Sequence, residues 1–361
     1  MSGKKSESLS RIVKTALVGY GMSGRTFHAP LIQACAELEL VAVVSSQAER
    51  VHGDLPEVEV ESRLDHLLAR PDIELVVIAT PNDTHFSSAR AALDAGKHVV
   101  VDKPFTLTLS EARRLEAQAR TAERLLSVFH NRRWDSDFLT LEAMLEAGTL
   151  GRIVTLESRF DRFRPQVSDR WRDRHQPGGG VWYDLGPHLL DQALRLFGMP
   201  RGILLDLMSA RDGAEVDDDF LALLQYDRLR VSLSAGTLMA KPTPRFRVNG
   251  TRGSYITYGL DPQETWLKEG RRPFPGWGQD PSPGSLLLDE GQDEPAQRVV
   301  SAVPGDYCAY YSGIAATLIE GAPPPVTLEA ATEVMRLLER GLDSARQGRW
   351  IRLGEKSGKP A

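Results

Sequence analysis

Through the first third of the chain, short runs with apolar residues on both faces alternate with segments that read as helices. The continuous runs are Thr15–Gly19, Leu38–Val44, Leu75–Ala79, His98–Val101 and Leu125–Phe129. Between them, about Phe27–Ala36, His66–Arg70 and Thr84–Ala95 read as helices. A fourth helix runs from Thr108 to about Glu123, and its Thr108-Leu-Ser-Glu111 start is a capping box. Strands apolar on both faces and separated by helices predict a doubly wound parallel sheet covered on both sides.

Near His130 the pattern changes. Arg152–Phe160 alternates like a half-exposed strand, and Ile203–Met208, Phe220–Tyr226, Arg230–Ala235 and Pro244–Val248 follow with short connections. Strands without intervening helices predict a large open mixed or antiparallel sheet. Asp261–Pro304 is rich in Pro, Gly and Trp and is expected to be an ordered long loop packed on that sheet or at an interface. Ala309–Glu320 and Leu328–Gln347 read as closing helices. The chain therefore divides into a tail (1–10), a nucleotide-binding α/β domain (11–129) and an α+β domain (130–361) for substrate binding and oligomerisation. Its 361 residues suit two domains.

Charge and cysteine content narrow the class. A net charge of −5 gives no global pull toward nucleic acid or an anionic membrane. The basic stretch Arg159–Arg174 is interleaved with Asp161, Asp169 and Asp173, and reads as an anion-facing loop or a solvated surface. Cys35 and Cys308 are no disulfide framework, which favours a reducing compartment. The first ten residues lack the apolar core of a signal peptide, and no apolar run reaches membrane-spanning length, so a cytoplasmic protein is expected.

Gly19-Tyr20-Gly21-Met22-Ser23-Gly24 follows the first strand and precedes a helix, the placement a dinucleotide fingerprint requires. The first glycine permits the tight turn, the second lets the backbone approach a pyrophosphate, and the third lets helix and strand pack closely. The second strand ends Val44-Ser45-Ser46-Gln47, without the acid that usually holds the ribose 2′-hydroxyl of NAD. Ser45 and Ser46 would not repel a 2′-phosphate, and Arg25 or Arg50 could neutralise it. NADP is therefore expected, with NAD the alternative. Thr80, Pro81 and Asn82, with His85 just beyond, lie at the end of the third strand, where such sheets gather ligands. Asp102-Lys103-Pro104 follows the fourth. A lysine there can reach over the nicotinamide toward a substrate oxygen and stabilise negative charge.

Gly178 to Asp191 reads Gly-Gly-Gly-Val-Trp-Tyr-Asp-Leu-Gly-Pro-His-Leu-Leu-Asp. If this segment is helical, Asp184 and His188 share one face, one turn apart. A carboxylate beside an imidazole can orient the ring and favour its protonated form, suiting a proton carrier. The same spacing suits a metal or a wet helix surface; no metal site is expected.

The glycine fingerprint, Asp102-Lys103-Pro104 and the Gly178–Asp191 block together resemble the glucose-fructose oxidoreductase / inositol dehydrogenase / rhizopine catabolism (Gfo/Idh/MocA) family. Phe27-His-Ala-Pro30, Asn131-Arg-Arg-Trp-Asp135, Tyr258-Gly-Leu-Asp-Pro-Gln-Glu264 and Gly305-Asp-Tyr307 are similar to the subgroup containing NADP-dependent scyllo-inositol dehydrogenases. The resemblance implies an N-terminal Rossmann domain and a C-terminal sheet that forms homodimers or homotetramers. Asp102-Lys103-Pro104 stands where the family has Glu-Lys-Pro, with a Lys-Pro bond expected to be cis. It implies hydride transfer between a nicotinamide and a secondary alcohol or ketone of a sugar, inositol or related polyol. His188 would take the hydroxyl proton, Asp184 would orient and charge-stabilise His188, and Lys103 would stabilise the alkoxide-like oxygen. Asn131, Arg133, Trp134, Trp171, Arg172 and Tyr307 are the candidates for hydroxyl recognition. Two rivals share the fold: a non-catalytic NAD(P)-binding regulator and an NAD-assisted glycosidase. The presence of Lys103, Asp184 and His188 together argues against the regulator.

Overall fold

In the computed structural model, which describes residues 11–168, 173–289, 291 and 296–354, two sheets carry the chain. The first is drawn from β1 (Val13–Val18), β2 (Leu38–Val44), β3 (Glu59–Glu61), β4 (Leu75–Ile78), β5 (His98–Val101) and β6 (Leu126–Val128). All pair in parallel in the order β3-β2-β1-β4-β5-β6. β4 and β6 are buried at every position, as the unbroken apolar runs require. The order reverses between β1 and β4, and the crevice beyond their carboxyl ends is where such sheets bind ligands.

The helices of this half are α1 (Ala29–Gln33), α2 (Ala48–Asp54), α3 (Leu64–Leu68), α4 (His85–Asp94) and α5 (Leu109–Thr121). The helix expected from Phe27 begins earlier: residues 22–33 wind continuously, with a π turn at Gly24–His28, so its N-terminus abuts the glycine turn. α2 lies in a stretch with no legible pattern because it buries only Val51. The capping box of α5 is present in both directions, Glu111 N–H donating to Thr108 Oγ1 and Thr108 N–H to Glu111 Oε2.

The second half contributes α6 (Ser136–Glu146), β7 (Ile153–Arg159), α7 (Val181–Phe197), β8 (Gly202–Met208), β9 (Asp219–Gln225), β10 (Arg230–Gly236), β11 (Pro244–Gly250) and β12 (Gly253–Tyr258). It continues with α8 (Gln263–Lys268), β13 (Gly284–Leu288), β14 (Ala296–Val300), α9 (Cys308–Glu320), α10 (Leu328–Gln347) and β15 (Ile351–Arg352). Its nine strands run β14-β13-β12-β11-β7-β10-β9-β8-β15, antiparallel except where β7 pairs with β10. The segment 261–304 departs from the expected loop: it holds α8 and two strands that extend the sheet. Gly284, Leu286 and Leu288 alternate inward, and a side chain at Gly284 would overlap the Tyr255 ring. The Pro, Gly and Trp content that suggested a loop serves a cluster of Trp266, Phe274 and Trp277 with ring centroids 5.3–5.9 Å apart.

The two halves interlock. Ser127 on β6 donates to the Val326 carbonyl and accepts from the Tyr310 hydroxyl of α9. Among the described residues no helix is long and apolar enough to cross a membrane. The tail read at 1–10 lies outside the described residues, as do Trp171 and Arg172.

Candidate active site

The glycine turn has three distinct environments. Gly19 sits at φ 97°, and a Cβ there would stand 2.6 Å from the Ala79 carbonyl oxygen. At Gly24 a Cβ would overlap the Gly19 carbonyl, so helix and strand close on each other. At Gly21 it would meet nothing within 4 Å. That open backbone is the approach a pyrophosphate needs, and the residues fit a dinucleotide. Met22 is exposed beside it.

Neighbouring side chains take defined roles. Tyr20 is buried and donates to Asp54; burial and the Asp54 carboxylate push its hydroxyl up to about 12. Asp54 also holds Arg25 through two hydrogen bonds of 2.6 and 3.0 Å. Arg25 is thus engaged, whereas Arg50, just beyond β2, is exposed and among the described residues bonds only Gln47. Ser45 Oγ accepts from Gln47 N–H, and Ser46 is exposed.

Beyond β4, Thr80 Oγ1 accepts from Thr84, Pro81 is exposed, and Asn82 donates to the Gly178 carbonyl. His85 is buried, with its ring nitrogens 2.8 and 3.0 Å from the Pro104 and Thr80 carbonyls. Burial lowers its pKa, so the neutral ring donates to one of them at a time. Its place in the cofactor set is that of a brace between two loops.

The Lys103–Pro104 bond is cis, as expected. Asp102 accepts from the Lys103 N–H and from Ser23 Oγ, and His28 Nε2 stands 3.6 Å away. Burial opposes ionisation of Asp102, but His28, Lys103 and Ser23 outweigh it and hold the carboxyl below its usual range. The aspartate in place of the family's glutamate therefore reaches its partners.

Asp184 and His188 do share a helix, α7. Its start is fixed from outside: Asp217 accepts from Val181 N–H through its carbonyl and from Trp182 N–H through its carboxylate. Gly180, at φ 90°, leaves room for that carboxylate, which a Cβ would strike. Trp182 Nε1–H bonds the Leu338 carbonyl and Tyr183 the Leu107 carbonyl, seating α7 against α10 and the loop after Pro104.

The expected pairing within this helix is corrected. Asp184 Oδ1 accepts from Lys103 Nζ at 2.8 Å, and the Asp184 carbonyl accepts from the same ammonium at 2.7 Å. His188 Nδ1 is enclosed and has no partner. Burial, then the charges of Lys103, Arg132 and His130, lower the His188 pKa well below its ordinary value, and Asp184 only partly opposes them. The carboxylate orients the ammonium, and the imidazole is neutral rather than protonated. Among the described residues no group of three His, Cys, Asp or Glu side chains could hold a metal.

Of the hydroxyl-recognition candidates, two are structural. Arg133 is buried and holds Asp191 through Nε and Nη2 at 2.8 and 2.6 Å, with Nη1 on the Pro325 carbonyl. Tyr307 is fully buried and donates to Asp135 at 2.6 Å. The Trp134 ring packs edge-on against Tyr310, and its carbonyl accepts from Gln263. Asn131 is buried at the start of the same turn.

Sequence reasoning missed the network beneath. Arg132 pairs with Asp135 and Glu264, Arg245 with Asp137, and Phe160 lies between the two guanidiniums at 4.7 and 4.0 Å. Asp261 accepts from Ser136 and Gln263, and burial with the Asp135 charge raises its carboxyl to about 8. The signal available was the motifs themselves, 131–135, 258–264 and 305–307, which converge here.

Comparison with known proteins agrees with this architecture. The family model described as oxidoreductase family, NAD-binding Rossmann fold, matches residues 13–130, and that of the oxidoreductase family C-terminal alpha/beta domain matches 142–353. The chain is 51% identical over 339 residues to the uncharacterized oxidoreductase YdgJ of Escherichia coli (strain K12), covering 94% of this chain and 98% of that one. It is 39% identical over 344 residues to the scyllo-inositol 2-dehydrogenase (NADP(+)) IolW of Bacillus subtilis (strain 168), covering 94% and 96%. The structure of the YPO2259 protein from Yersinia pestis superposes with a TM-score of 0.93 at 49% identity, over 96% of this chain and 99% of that one.

Proposed function

Because the chain belongs to the Gfo/Idh/MocA oxidoreductase family, we propose that it is an NADP-preferring dehydrogenase or reductase acting on a secondary alcohol or ketone of a sugar, inositol or related polyol. The observation that carries the reading is the Lys103 ammonium, held by Asp184 at 2.8 Å one helical turn from a neutral His188. The bound nicotinamide would supply hydride chemistry at the carbinol carbon. The chain's own residues handle the proton. His188 accepts it at Nε2, Nδ1 being enclosed; no hydrogen bond to Nδ1 fixes the tautomer, so the ring can carry its proton there and present a lone pair at Nε2. The Lys103 ammonium has three N–H donors and spends two on Asp184, leaving one for the oxygen on which negative charge develops. Asp184 aims that ammonium.

Residues 11–129 serve the cofactor, and 130–361 serve substrate and assembly. NADP preference rests on the absence of an acid after β2 and on Arg50. Assembly as a homodimer or homotetramer uses the outward face of the nine-stranded sheet, where Met208, Leu221, Leu287 and Val299 are exposed. Free Cys35 and Cys308 support a cytoplasmic location.

The test is a panel of polyols, sugars and ketoses with NADP and with NAD, read by absorbance of the reduced cofactor. Net reduction by at least one alcohol is expected, lowered at least about 10²-fold in His188→Ala. Release of an aglycone without accumulating reduced cofactor favours the glycosidase. Cofactor binding with neither reaction favours the regulator.

A further inference from the structure

The basic stretch after β7 has no part in the mechanism above, and among the described residues its half-buried Arg162, like the exposed Arg164, lacks a side-chain partner. The ladder of β7 continues past Arg159: Phe160, Arg162 and Arg164 donate their N–H groups to the carbonyls of Ser234, Gly236 and Thr237. In such an extended segment alternate residues share a face. Ser158 accepts from Arg245, and Phe160 lies against Arg132 and Arg245. Arg162 is next on that face, whereas Phe163 points out and is exposed.

Around it the other cations, apart from the exposed Arg164, are matched. Lys103 has Asp184, Arg132 has Asp135 and Glu264, Arg245 has Asp137, and Lys268 has Glu264. Arg162 makes no side-chain hydrogen bond and no ion pair with any described residue. It is only partly exposed. Burial lowers its pKa; the charges of Glu264 and Asp184 reach it from beyond ion-pairing distance and oppose the shift, while Arg132 and Arg164 add to it. Charges of both the buried network and the Lys103–Asp184 pair thus act on a side chain that the strand's alternation puts on the face of Phe160. A half-buried guanidinium without an acceptor is costly in a monomeric protein and is relieved by an anionic ligand offering two oxygens in its plane.

We propose that Arg162 recognises an anionic oxygen group, a carboxylate or a phosphate, on the substrate whose carbinol meets Lys103 and His188. This deepens the dehydrogenase reading and rests on it. It narrows the substrate class from neutral polyols to sugar acids or sugar phosphates. Arg162 is a specificity residue, and the proton steps proceed without it.

The test uses two rings, each with and without charge: glucose, glucuronate and glucose 6-phosphate, and an inositol with its monophosphate. Binding to the NADPH-loaded full chain is measured by calorimetry, and turnover separately by reduction of NADP. At least one charged member is expected to bind ten-fold or more tighter than its neutral parent. Which one it is distinguishes carboxylate from phosphate. Arg162→Met abolishes that difference and leaves neutral-ligand and NADPH affinity unchanged, and Arg162→Lys restores part of it. The variant's melting temperature does not fall, because no partner is orphaned; a fall marks a structural role and overturns the proposal. Equal binding of charged and neutral members, or no binding of any charged member, overturns it as well. Binding that depends on Arg162 without turnover of any member sinks the dehydrogenase reading alone.

Discussion

Lys103 and Arg133 are both cations carried by short motifs just beyond strands of the first sheet, and both hold an aspartate of α7. Their surroundings differ in one respect. Arg133 binds Asp191 through two nitrogens and the Pro325 carbonyl through the third, so every nitrogen of a buried guanidinium is engaged inside the protein. Lys103 spends two of three donors on Asp184 and keeps one. The same contrast separates the two regions at large. Beneath the crevice, Arg132 pairs with Asp135, Arg245 with Asp137 and Tyr307 with Asp135, but Arg132 Nε, Arg245 Nε and both Asp137 oxygens, like His188 Nδ1, are enclosed without a hydrogen bond among the described residues. A spare donor that solvent reaches, as on Lys103, marks a residue available to a ligand; the unpaired atoms beneath are sealed from one.

Removing a partner from the lower region breaks this comparison most strongly. Asp191→Ala leaves a buried guanidinium without its carboxylate and should cost about 3–5 kcal/mol of stability. Urea unfolding followed by circular dichroism measures it. Replacing both partners by apolar residues, Arg133→Met with Asp191→Leu, should recover much of the loss. A double variant as unstable as the single one means that Arg133 has a further role.

Lys103→Met probes the upper region. It should lower turnover by about 10²–10³-fold, the cost of losing a donor aimed at a developing oxyanion. Its loss of stability should be far smaller than that of Asp191→Ala. Turnover within a few-fold of the unaltered protein would remove Lys103 from the chemistry.

The same contrast explains what the sequence could convey. Five strands of the first sheet were legible because they are largely apolar on both faces, whereas the short, polar β3 was not; Gly19, Gly21 and Gly24 were legible because each glycine answers a separate steric demand. The spacing of Asp184 and His188 placed both on α7, yet it suggested a bond between them. Whether a carboxylate turns to a ring in its own helix or to an ammonium 81 residues away is a tertiary fact. Arg133 and Tyr307 looked like recognition residues because Arg and Tyr are amphipathic, and their acceptors, Asp191 and Asp135, lie 58 and 172 positions distant. The strands β13 and β14 were hidden by Pro and Gly that serve the turns around them.

A third test is electrostatic. His188 is neutral because burial and then the Lys103 charge depress its pKa. A depressed pKa keeps the base unprotonated at pH values where a free imidazole would already carry a proton. The acid limb of kcat/KM should therefore lie below pH 6.5, the ordinary histidine value. In Lys103→Met the opposing charge is gone, and the His188 ring should titrate at a higher pH, followed by imidazole proton resonances. An unchanged titration would show that burial and the remaining charges, Arg132 and His130, set it without Lys103.

The smallest expected effect concerns the rim, where side chains have free capacity but also free solvent. Arg50 is exposed and, among the described residues, bonded only to Gln47, while Arg25, the other candidate for a 2′-phosphate, is held by Asp54. An exposed guanidinium meeting a phosphate gains a charge-assisted hydrogen bond but works against water and salt. Arg50→Ala should raise the KM for NADP about ten-fold, roughly 1.4 kcal/mol, and leave the KM for NAD unchanged. The ten-fold difference should shrink as salt is added, because the contact is screened. Equal losses with both cofactors would place Arg50 on the shared pyrophosphate. No loss with either would shift the NADP preference onto Ser45 and Ser46, whose hydroxyls can meet a phosphate without contributing charge.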